Sequence, residues 1–173
     1  MKKMIAVILL TVLLAGCADQ PVFETLGEVP VEGTVPQPQK VLVELPGELS
    51  QPVMQSADTG KLYICDDYSM TLQTLEGGDL ERTLRHCTGY EKEELTVIST
   101  QLGDVRKYET AWTATGEAEP QIGRLAILDD GSYHYVLSVM APSQKAGDLH
   151  QTWQYLFDTF RVASMNVPFS IGS

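Results

Sequence analysis

The sequence contains few of the residues that mark a catalytic or nucleic-acid-binding protein. Its 12 Lys and Arg residues are outnumbered by 23 Asp and Glu residues, which gives a formal net charge of -11. A nucleic-acid-binding surface needs clustered cations, so this charge argues against a nucleic-acid partner. The sequence also has no Gly-x-Ser-x-Gly element, no Cys-x-x-Cys pair and no glycine-rich loop with phosphate-binding spacing. We therefore expect no enzymatic activity, no catalytic residue and no cofactor.

Long apolar runs are scarce as well, and the clearest one lies at the start of the chain. Met4 to Leu14 is an apolar run of eleven residues that is interrupted only by Thr11 and follows two lysines. It is too short to span a bilayer, which takes about 20 residues. A short apolar run after positive charges is typical of a signal peptide. We predict that residues 1–16 are a signal peptide and take no part in the fold.

The end of this run resembles the lipobox of bacterial lipoproteins. The motif is Leu13-Leu14-Ala15-Gly16-Cys17, in which leucines and small residues precede a cysteine. The resemblance implies cleavage after Gly16, a diacylglycerol group on the Cys17 sulfur and further acylation, for example by palmitate. It also implies an anchor on the extracytoplasmic face of the cell membrane, or in the outer membrane if the host has two membranes. The alternative is an ordinary secretory signal with a chance cysteine.

The segment after this cysteine differs in composition from the rest of the chain. Residues 17–40 contain four prolines and two glycines among scattered acidic residues, without an apolar period of 2 or 3.6. Proline-rich segments of this kind favour an extended chain without a packed core. We predict a disordered tether between the lipid and a folded domain, with a docking peptide for a partner as the alternative.

Apolar stretches and turn signals alternate from Val41 onward, which predicts one folded domain over residues 41–163 and a loose tail over 164–173. The pairs Gly103-Asp104 and Asp130-Gly131 indicate β-hairpins, the second of them with a type I′ turn. Eight strands are predicted, at residues 41–45, 53–56, 61–65, 68–75, 95–102, 105–115, 122–128 and 133–140.

Two amphipathic helices are predicted among these strands. Asp79 is the expected N-cap of the first helix, and Gly89 is its expected end. The second helix is predicted to run from Asp148 to Val162, with Asp148 as the first residue of a capping box. Its apolar stripe has helical spacing and is formed by Leu149, Trp153, Leu156, Phe157 and Phe160.

Strands joined by short hairpins, together with helices whose apolar stripes must be buried against a sheet, predict the α+β class. We expect an antiparallel meander sheet with a short helix and a C-terminal amphipathic helix packed on it. The meander 95–140 followed by the helix 148–162 resembles the PsbP-like fold, an α/β/α sandwich. That fold occurs in an extrinsic protein of photosystem II and in a nuclear-import factor that binds a small GTPase. A cystatin-like domain has a similar element order, and the resemblance carries over no functional residue.

The two remaining cysteines, Cys65 and Cys87, form an even pair in a chain expected to reach an oxidising compartment. A disulfide between them is therefore predicted, closing a loop of about 22 residues that would stabilise the fold by about 3 kcal/mol. Two reduced, buried thiols are the alternative. No spacing around them supplies the four ligands of a zinc site.

The remaining candidate residues have ordinary structural explanations. His86, His134 and His150 are far apart in the chain, so we expect surface or hydrogen-bonded histidines. The acidic pairs at residues 66–67 and 129–130 fit turns better than a calcium site. The aromatic residues Trp112, Trp153 and Tyr133 are expected in the core rather than in a ligand cleft.

These observations favour a lipid-anchored extracytoplasmic binding or accessory protein. Its expected partner is a protein or another component of the cell envelope, and its membrane contact is the lipid on Cys17. A second hypothesis is a carrier or sensor of a small ligand, with a pocket between the sheet and a helix.

Overall fold

A computed structural model describes residues 36–49, 51–56, 60–114 and 119–165, which belong almost entirely to the unit Gln37–Ser173. The predicted signal peptide, Cys17 and most of the predicted tether and tail lie outside the described residues. Among the described residues, no helix is both long and apolar enough to cross a membrane.

The main element of the fold is a seven-stranded antiparallel sheet with the strand order β2-β3-β4-β8-β7-β6-β5. Strands β2, β3 and β4 are joined by hairpins and form one part of the sheet. A helix then connects β4 to β5, and strands β5 to β8 are joined by hairpins and form the other part. Pairing of β4 with β8 joins the two parts. The strands are β2 (Met54–Ser56), β3 (Gly60–Ile64), β4 (Ser69–Glu76), β5 (Ile98–Leu102), β6 (Val105–Ala114), β7 (Gln121–Asp129) and β8 (Tyr133–Pro142).

A separate two-stranded sheet ties the two ends of the described region together. Strand β1 (Val41–Leu42) pairs antiparallel with β9 (Arg161–Val162). The amide of Ala163 extends this pairing by donating to the carbonyl of Lys40 at 3.0 Å. The predicted strand 41–45 is therefore shorter than expected, because its partner strand contains only two residues.

Helix α1 (Leu80–Thr88) has the ends that the sequence predicts. The side chain of Asp79 accepts from the amide of Arg82, and Gly89 adopts a left-handed conformation at φ 79°. The amide of Gly89 bonds the carbonyl of Arg85, which satisfies one of the free carbonyls at the helix end.

Helix α2 (His150–Thr159) differs from its prediction at both ends. Leu149, not Asp148, is the N-cap, and it makes no side-chain cap bond because the leucine side chain has no hydrogen-bond acceptor. The amide of Leu149 bonds the carbonyl of Lys145 at 3.1 Å. The helix ends at Thr159 because Arg161 and Val162 pair with β1 instead of continuing it.

The sheet has an apolar core on each face, as alternation along its central strands requires. Ala126 and Leu128 of β7 pack with Leu156 and Phe157 of α2. Leu125 and Ile127, which alternate with them, pack with Leu84 of α1 on the opposite face. The predicted α+β class is confirmed, with one helix on each face of the sheet. Trp112 and Trp153 are buried in these cores, as expected.

Candidate functional site

Helix α1 covers only half of its face of the sheet. Leu84 packs on residues of β6, β7 and β8. Across the other half, the described residues place no helix over β2 and β3, and α1 lies only along the border of β4. A cross-strand row from Met54 through Leu62 and Thr71 to Ser138 runs from the open edge toward α1. The open half is therefore a surface of the sheet itself, bordered on one side by the helix.

Three adjoining hollows lie along this border and share the side chain of His86; together we call them the α1 groove. The largest has a volume of about 530 Å³ and opens onto β2 and β3. The smallest, about 140 Å³, lies between α1 and strands β4 and β8. The third, about 270 Å³, lies beside the N-terminal end of α1. The groove lining includes Met54, Leu62, Ser69, Thr71, Gln73, Leu75, Ser138 and Met140.

The floor of the α1 groove is polar but uncharged. Ser69, Thr71 and Gln73 alternate along β4, and Ser138 of β8 is the direct cross-strand partner of Thr71. The side-chain oxygen of Gln73 is buried and has no hydrogen-bond partner among the described residues. An unsatisfied buried acceptor costs about 1–3 kcal/mol, and this oxygen is closed to solvent, so the groove offers a bound group the half-buried hydroxyls rather than this atom.

The outer border of the groove is apolar. Met54 of β2 and Ile64 of β3 lie on the same face of the sheet as the groove floor, and their large side chains are 66% and 57% exposed. We call these two residues the β2–β3 patch. Exposed apolar residues that cluster beside a hydrogen-bonding groove are a feature of interaction surfaces.

Charged residues line two of the three hollows: Lys61 lines the largest, and Glu76, Asp79 and Arg82 line the third, at the N-terminal end of α1. Asp79 is engaged as the helix cap. His86 is exposed and is the one predicted histidine that the structure places at this site. His150 is exposed in the first turn of α2, on the other face of the sheet.

His134 lies under α1 in a buried polar cluster. Its Nδ1 atom is 2.7 Å from the hydroxyl of Thr83, and its Nε2 atom is 3.8 Å from a carboxylate oxygen of Asp129. Thr83 and His134 are only 3% and 1% exposed, so a substrate has no access to this hydroxyl. The cluster attaches α1 to the β7–β8 hairpin. Sequence reasoning missed it because Thr83 and His134 come together only when α1 packs on the sheet.

The pH dependence of stability follows from this burial. Burial lowers the pKa of His134 below its ordinary value of 6.5, although the charges of Asp129, Asp130 and Asp79 oppose that shift. The unfolded chain therefore binds this proton first as the pH falls. We predict that the unfolding free energy is highest above about pH 6.5 and falls as the pH drops toward the folded-state pKa.

Urea unfolding of the wild type and of His134→Asn at several pH values tests this prediction. Asparagine can pair with the Thr83 hydroxyl as a donor or as an acceptor but does not titrate, so the stability of the variant should depend less on pH just below 6.5. Equal slopes for the two proteins in that interval would contradict the prediction. Loss of stability below pH 3.8 is a separate effect: burial raises the pKa of Asp130, but its hydrogen bonds outweigh burial and lower the pKa from that value.

Asp130 organises the hairpin turn that the sequence predicts. Of the two central residues of this turn, only Gly131 has a positive φ, of 89°. The turn is therefore not the predicted type I′, which needs a positive φ at both. The carboxylate of Asp130 instead accepts from the amides of Ser132 and Tyr133 and from the Tyr135 hydroxyl. Asp67, in the other acidic pair, forms an ion pair with Lys145 at 2.8 Å. No cluster of metal-binding side chains occurs within the described residues.

The prediction of a disulfide between Cys65 and Cys87 is corrected by the structure, in which both are free thiols. Cys65 packs against the core on the α2 face, whereas Cys87 packs against the core on the α1 face. The sheet therefore separates the two thiols. Cys65 donates to the carbonyl of Tyr68 at 3.1 Å, and burial raises the pKa of Cys87 to about 11.

Thiol labelling tests this correction. Iodoacetamide added to the unfolded chain without reductant should modify both Cys65 and Cys87, and prior reduction should change nothing. In the folded chain, Cys87 should react slowly at neutral pH, because burial and its raised pKa suppress the thiolate. Labelling that appears only after reduction would contradict the structure.

Comparison with known proteins gives likenesses of fold at low sequence identity. A protein from Bacteroides thetaiotaomicron matches with a TM-score of 0.48 and 11% identity, over 75% of this chain and 47% of that one. The Ran-binding protein Mog1p of Saccharomyces cerevisiae matches with a TM-score of 0.48 and 14% identity, over 70% and 89%. LpqN of Mycobacterium tuberculosis, which is involved in cell envelope biogenesis, has a TM-score of 0.48 and 11% identity, over 73% and 86%.

The chain thus spans less than half the length of the Bacteroides protein. No protein-family model matches the sequence, and no curated protein matches it.

Proposed function

We propose that the protein is a lipid-anchored extracytoplasmic accessory protein whose α1 groove and β2–β3 patch bind a segment of a partner protein in the cell envelope. The observation that carries this proposal is the exposed apolar patch beside an uncharged, hydrogen-bonding floor. Apolar side chains of a partner would cover Met54 and Ile64, while its backbone groups would meet the hydroxyls of β4 and β8.

The half-buried hydroxyls of the groove floor support the same proposal. Ser69, Thr71 and Ser138 can donate to, or accept from, the backbone of a partner segment. The anchor is supported by the resemblance of residues 13–17 to a lipobox, and the tether by the prolines of residues 17–40. Together they would let the domain meet a partner at some distance from the bilayer.

A carrier of a small ligand is the second candidate, because a hollow does lie between the sheet and α1. That hollow measures about 140 Å³, whereas pockets for small ligands occupy about 300–1,000 Å³. The larger hollow of about 530 Å³ is open toward β2 and β3, so a small ligand there would stay partly in water. An extended segment of a protein makes better use of a long, open groove.

Site-specific photocrosslinking in intact cells tests the proposed function. A photoreactive residue replaces Ile64 in the full chain, and the same probe at Arg85, exposed on the outer side of α1, is the matched control. We expect a discrete adduct with one envelope protein from position 64 and none from position 85.

A second substitution makes the result specific. Met54→Asp places a charge in the β2–β3 patch at a residue that is already exposed, so folding should be retained while the adduct is lost. Equal adducts from both probes, or an adduct that Met54→Asp leaves unchanged, would contradict a binding role for this surface. Native mass spectrometry that finds a bound small molecule would favour the second candidate.

A further inference from the structure

Strand β5 forms an edge of the sheet that lacks the usual protection against pairing. Within the described residues, β5 pairs only with β6 and ends the sheet. Its residues Ile98 to Gln101 are exposed, and the strand contains no charge and no proline. Proteins normally protect such an edge with lysine, proline or a bulge, because its free backbone groups can pair with another strand. The opposite edge strand, β2, has only three residues.

The backbone of β5 presents its free groups at two known positions. The two-residue turn Gly103–Asp104, with Gly103 at φ 63°, joins β5 to β6 and places Leu102 opposite Val105. In such a hairpin the flanking pair is hydrogen-bonded, and bonding residues then alternate along the strand. Ile98, Thr100 and Leu102 therefore bond to β6. Ser99 and Gln101 direct their backbone N–H and C=O groups outward.

The order of residues in β5 is self-complementary. The strand reads Ile-Ser-Thr-Gln-Leu, with an apolar residue at each end, a polar residue inside each end, and Thr100 in the centre. An antiparallel copy centred on Thr100 would place Ile98 opposite Leu102 and Ser99 opposite Gln101. Ser99 and Gln101 are the residues with outward backbone groups, so four hydrogen bonds would form in one register.

We propose that β5 is a homodimerisation edge, at which two copies of this chain pair antiparallel. The two-fold axis of the dimer would pass between the two copies of Thr100. The two seven-stranded sheets would then form one continuous sheet. Such an isologous contact is closed, since each copy uses its single β5 edge. Ile98, whose side chain is exposed in the single chain, would gain an apolar cross-strand neighbour in Leu102 of the second copy.

Electrostatics do not prevent this pairing, although the chain carries a net charge of -11. The five residues of β5 are uncharged, and in the proposed register Asp104 lies opposite Thr96 of the second copy rather than opposite an acid. Charges elsewhere on the two copies are screened beyond about 8 Å at physiological salt. The contact is small, so a shared membrane anchor would favour it by raising the effective concentration. This last step rests on the proposed function.

Disulfide formation in the full chain tests the register. In the proposed dimer, the two copies of Thr100 are a non-hydrogen-bonded pair with Cα atoms about 4.5 Å apart, within the range that a disulfide bridges. The two copies of Ser99 are about 9 Å apart, beyond that range. Under mild oxidation, Thr100→Cys should give about tenfold more covalent dimer than the equally exposed control Ser99→Cys. Equal amounts from the two variants, or none from Thr100→Cys, would overturn the proposal.

Sedimentation provides a second measurement that needs no added cysteine. Within one chain, Thr100→Asp places a carboxylate opposite Lys107, which should preserve the fold. In the dimer, the same substitution brings the two carboxylates of the two copies opposite each other, which should destabilise the contact. We expect the dimer dissociation constant to rise at least about fivefold, with unchanged fluorescence from the buried Trp112 and Trp153. A wild type that stays monomeric at all concentrations tested would overturn the proposal. The same experiments are repeated with Cys17→Ser, and membrane attachment and dimer formation are both measured. Membrane attachment tests the proposed anchor and dimer formation tests the β5 edge, so the failure of one proposal is distinguished from the failure of the other.

Discussion

Replacement of Cys17 by serine is expected to move the full chain from the membrane fraction of the host to the soluble fraction. The resemblance to a lipobox implies a lipid on the Cys17 sulfur, and serine has no sulfur to carry it. Each buried CH₂ group of an acyl chain contributes about 0.8 kcal/mol to membrane binding, so loss of two or three chains removes nearly all of it. The acidic chain would not be held by an anionic membrane surface in their absence.

The measurement is cell fractionation combined with metabolic labelling by a palmitate analogue. Cys65→Ser is the matched control, because a hydroxyl can still donate to the carbonyl of Tyr68 and the fold should persist. The control should keep both the label and the membrane position. A Cys17→Ser chain that remains in the membrane fraction, or keeps the label, would contradict the anchor.

Phe157→Ala should lower the free energy of unfolding by about 3–5 kcal/mol. Phe157 is 1% exposed and lies at the centre of the contact between α2 and the sheet. The guanidinium of Arg124 stands 4.3 Å from the centre of its ring, so the substitution also removes a cation–π contact. A domain of this size has a total stability of about 5–15 kcal/mol, so the variant should be close to unfolding at 37 °C.

Urea unfolding followed by tryptophan fluorescence measures this loss. Tyr155→Ala is the control on the same helix, since Tyr155 is exposed and donates only to the surface carboxylate of Glu44. It should cost about 1 kcal/mol or less. A Phe157→Ala loss no larger than that of the control would show that α2 does not support the core as described.

Local signals in the sequence were sufficient for most elements of the fold. Asp79 and Gly89 define the ends of α1, because each cap acts through backbone groups within one turn. The apolar stretch at residues 122–128, followed by the turn signal Asp130-Gly131, predicted β7, and both of its faces prove to be buried. These features depend on neighbouring residues and need no knowledge of how distant segments meet.

Features that depend on distant contacts were not predictable. The pairing of β1 with β9 shortens the second helix, and nothing near Val162 signals a partner at Val41. The two cysteines lie on opposite faces because Cys65 follows β3 and Cys87 lies in α1. Trp112 packs over Gly123, where a Cβ atom would lie 2.3 Å from the ring, and this contact follows from the β6–β7 register.

The candidate site belongs to the second group of features. Ser69, Thr71 and Gln73 alternate along β4 like any half-exposed strand. They become a groove floor because α1 packs mainly on β6, β7 and β8 and leaves these residues of β4 half-buried beside it. The position of the helix, and not a sequence motif, creates the surface on which the proposed function rests.

Cysteine accessibility in intact cells tests the central claim most directly. A Met54→Cys chain, expressed at its native level, is labelled with a membrane-impermeant maleimide once the outer surface of the anchoring membrane has been made accessible. The labelling rate is then compared with that of the same chain after detergent extraction and purification.

Arg85→Cys, exposed on the outer side of α1, is the control. We predict that the thiol introduced at position 54 is labelled several-fold more slowly in cells than after purification, whereas the thiol introduced at position 85 is labelled at the same rate in both. Equal rates at position 54 in the two states would contradict a partner bound at the α1 groove and the β2–β3 patch.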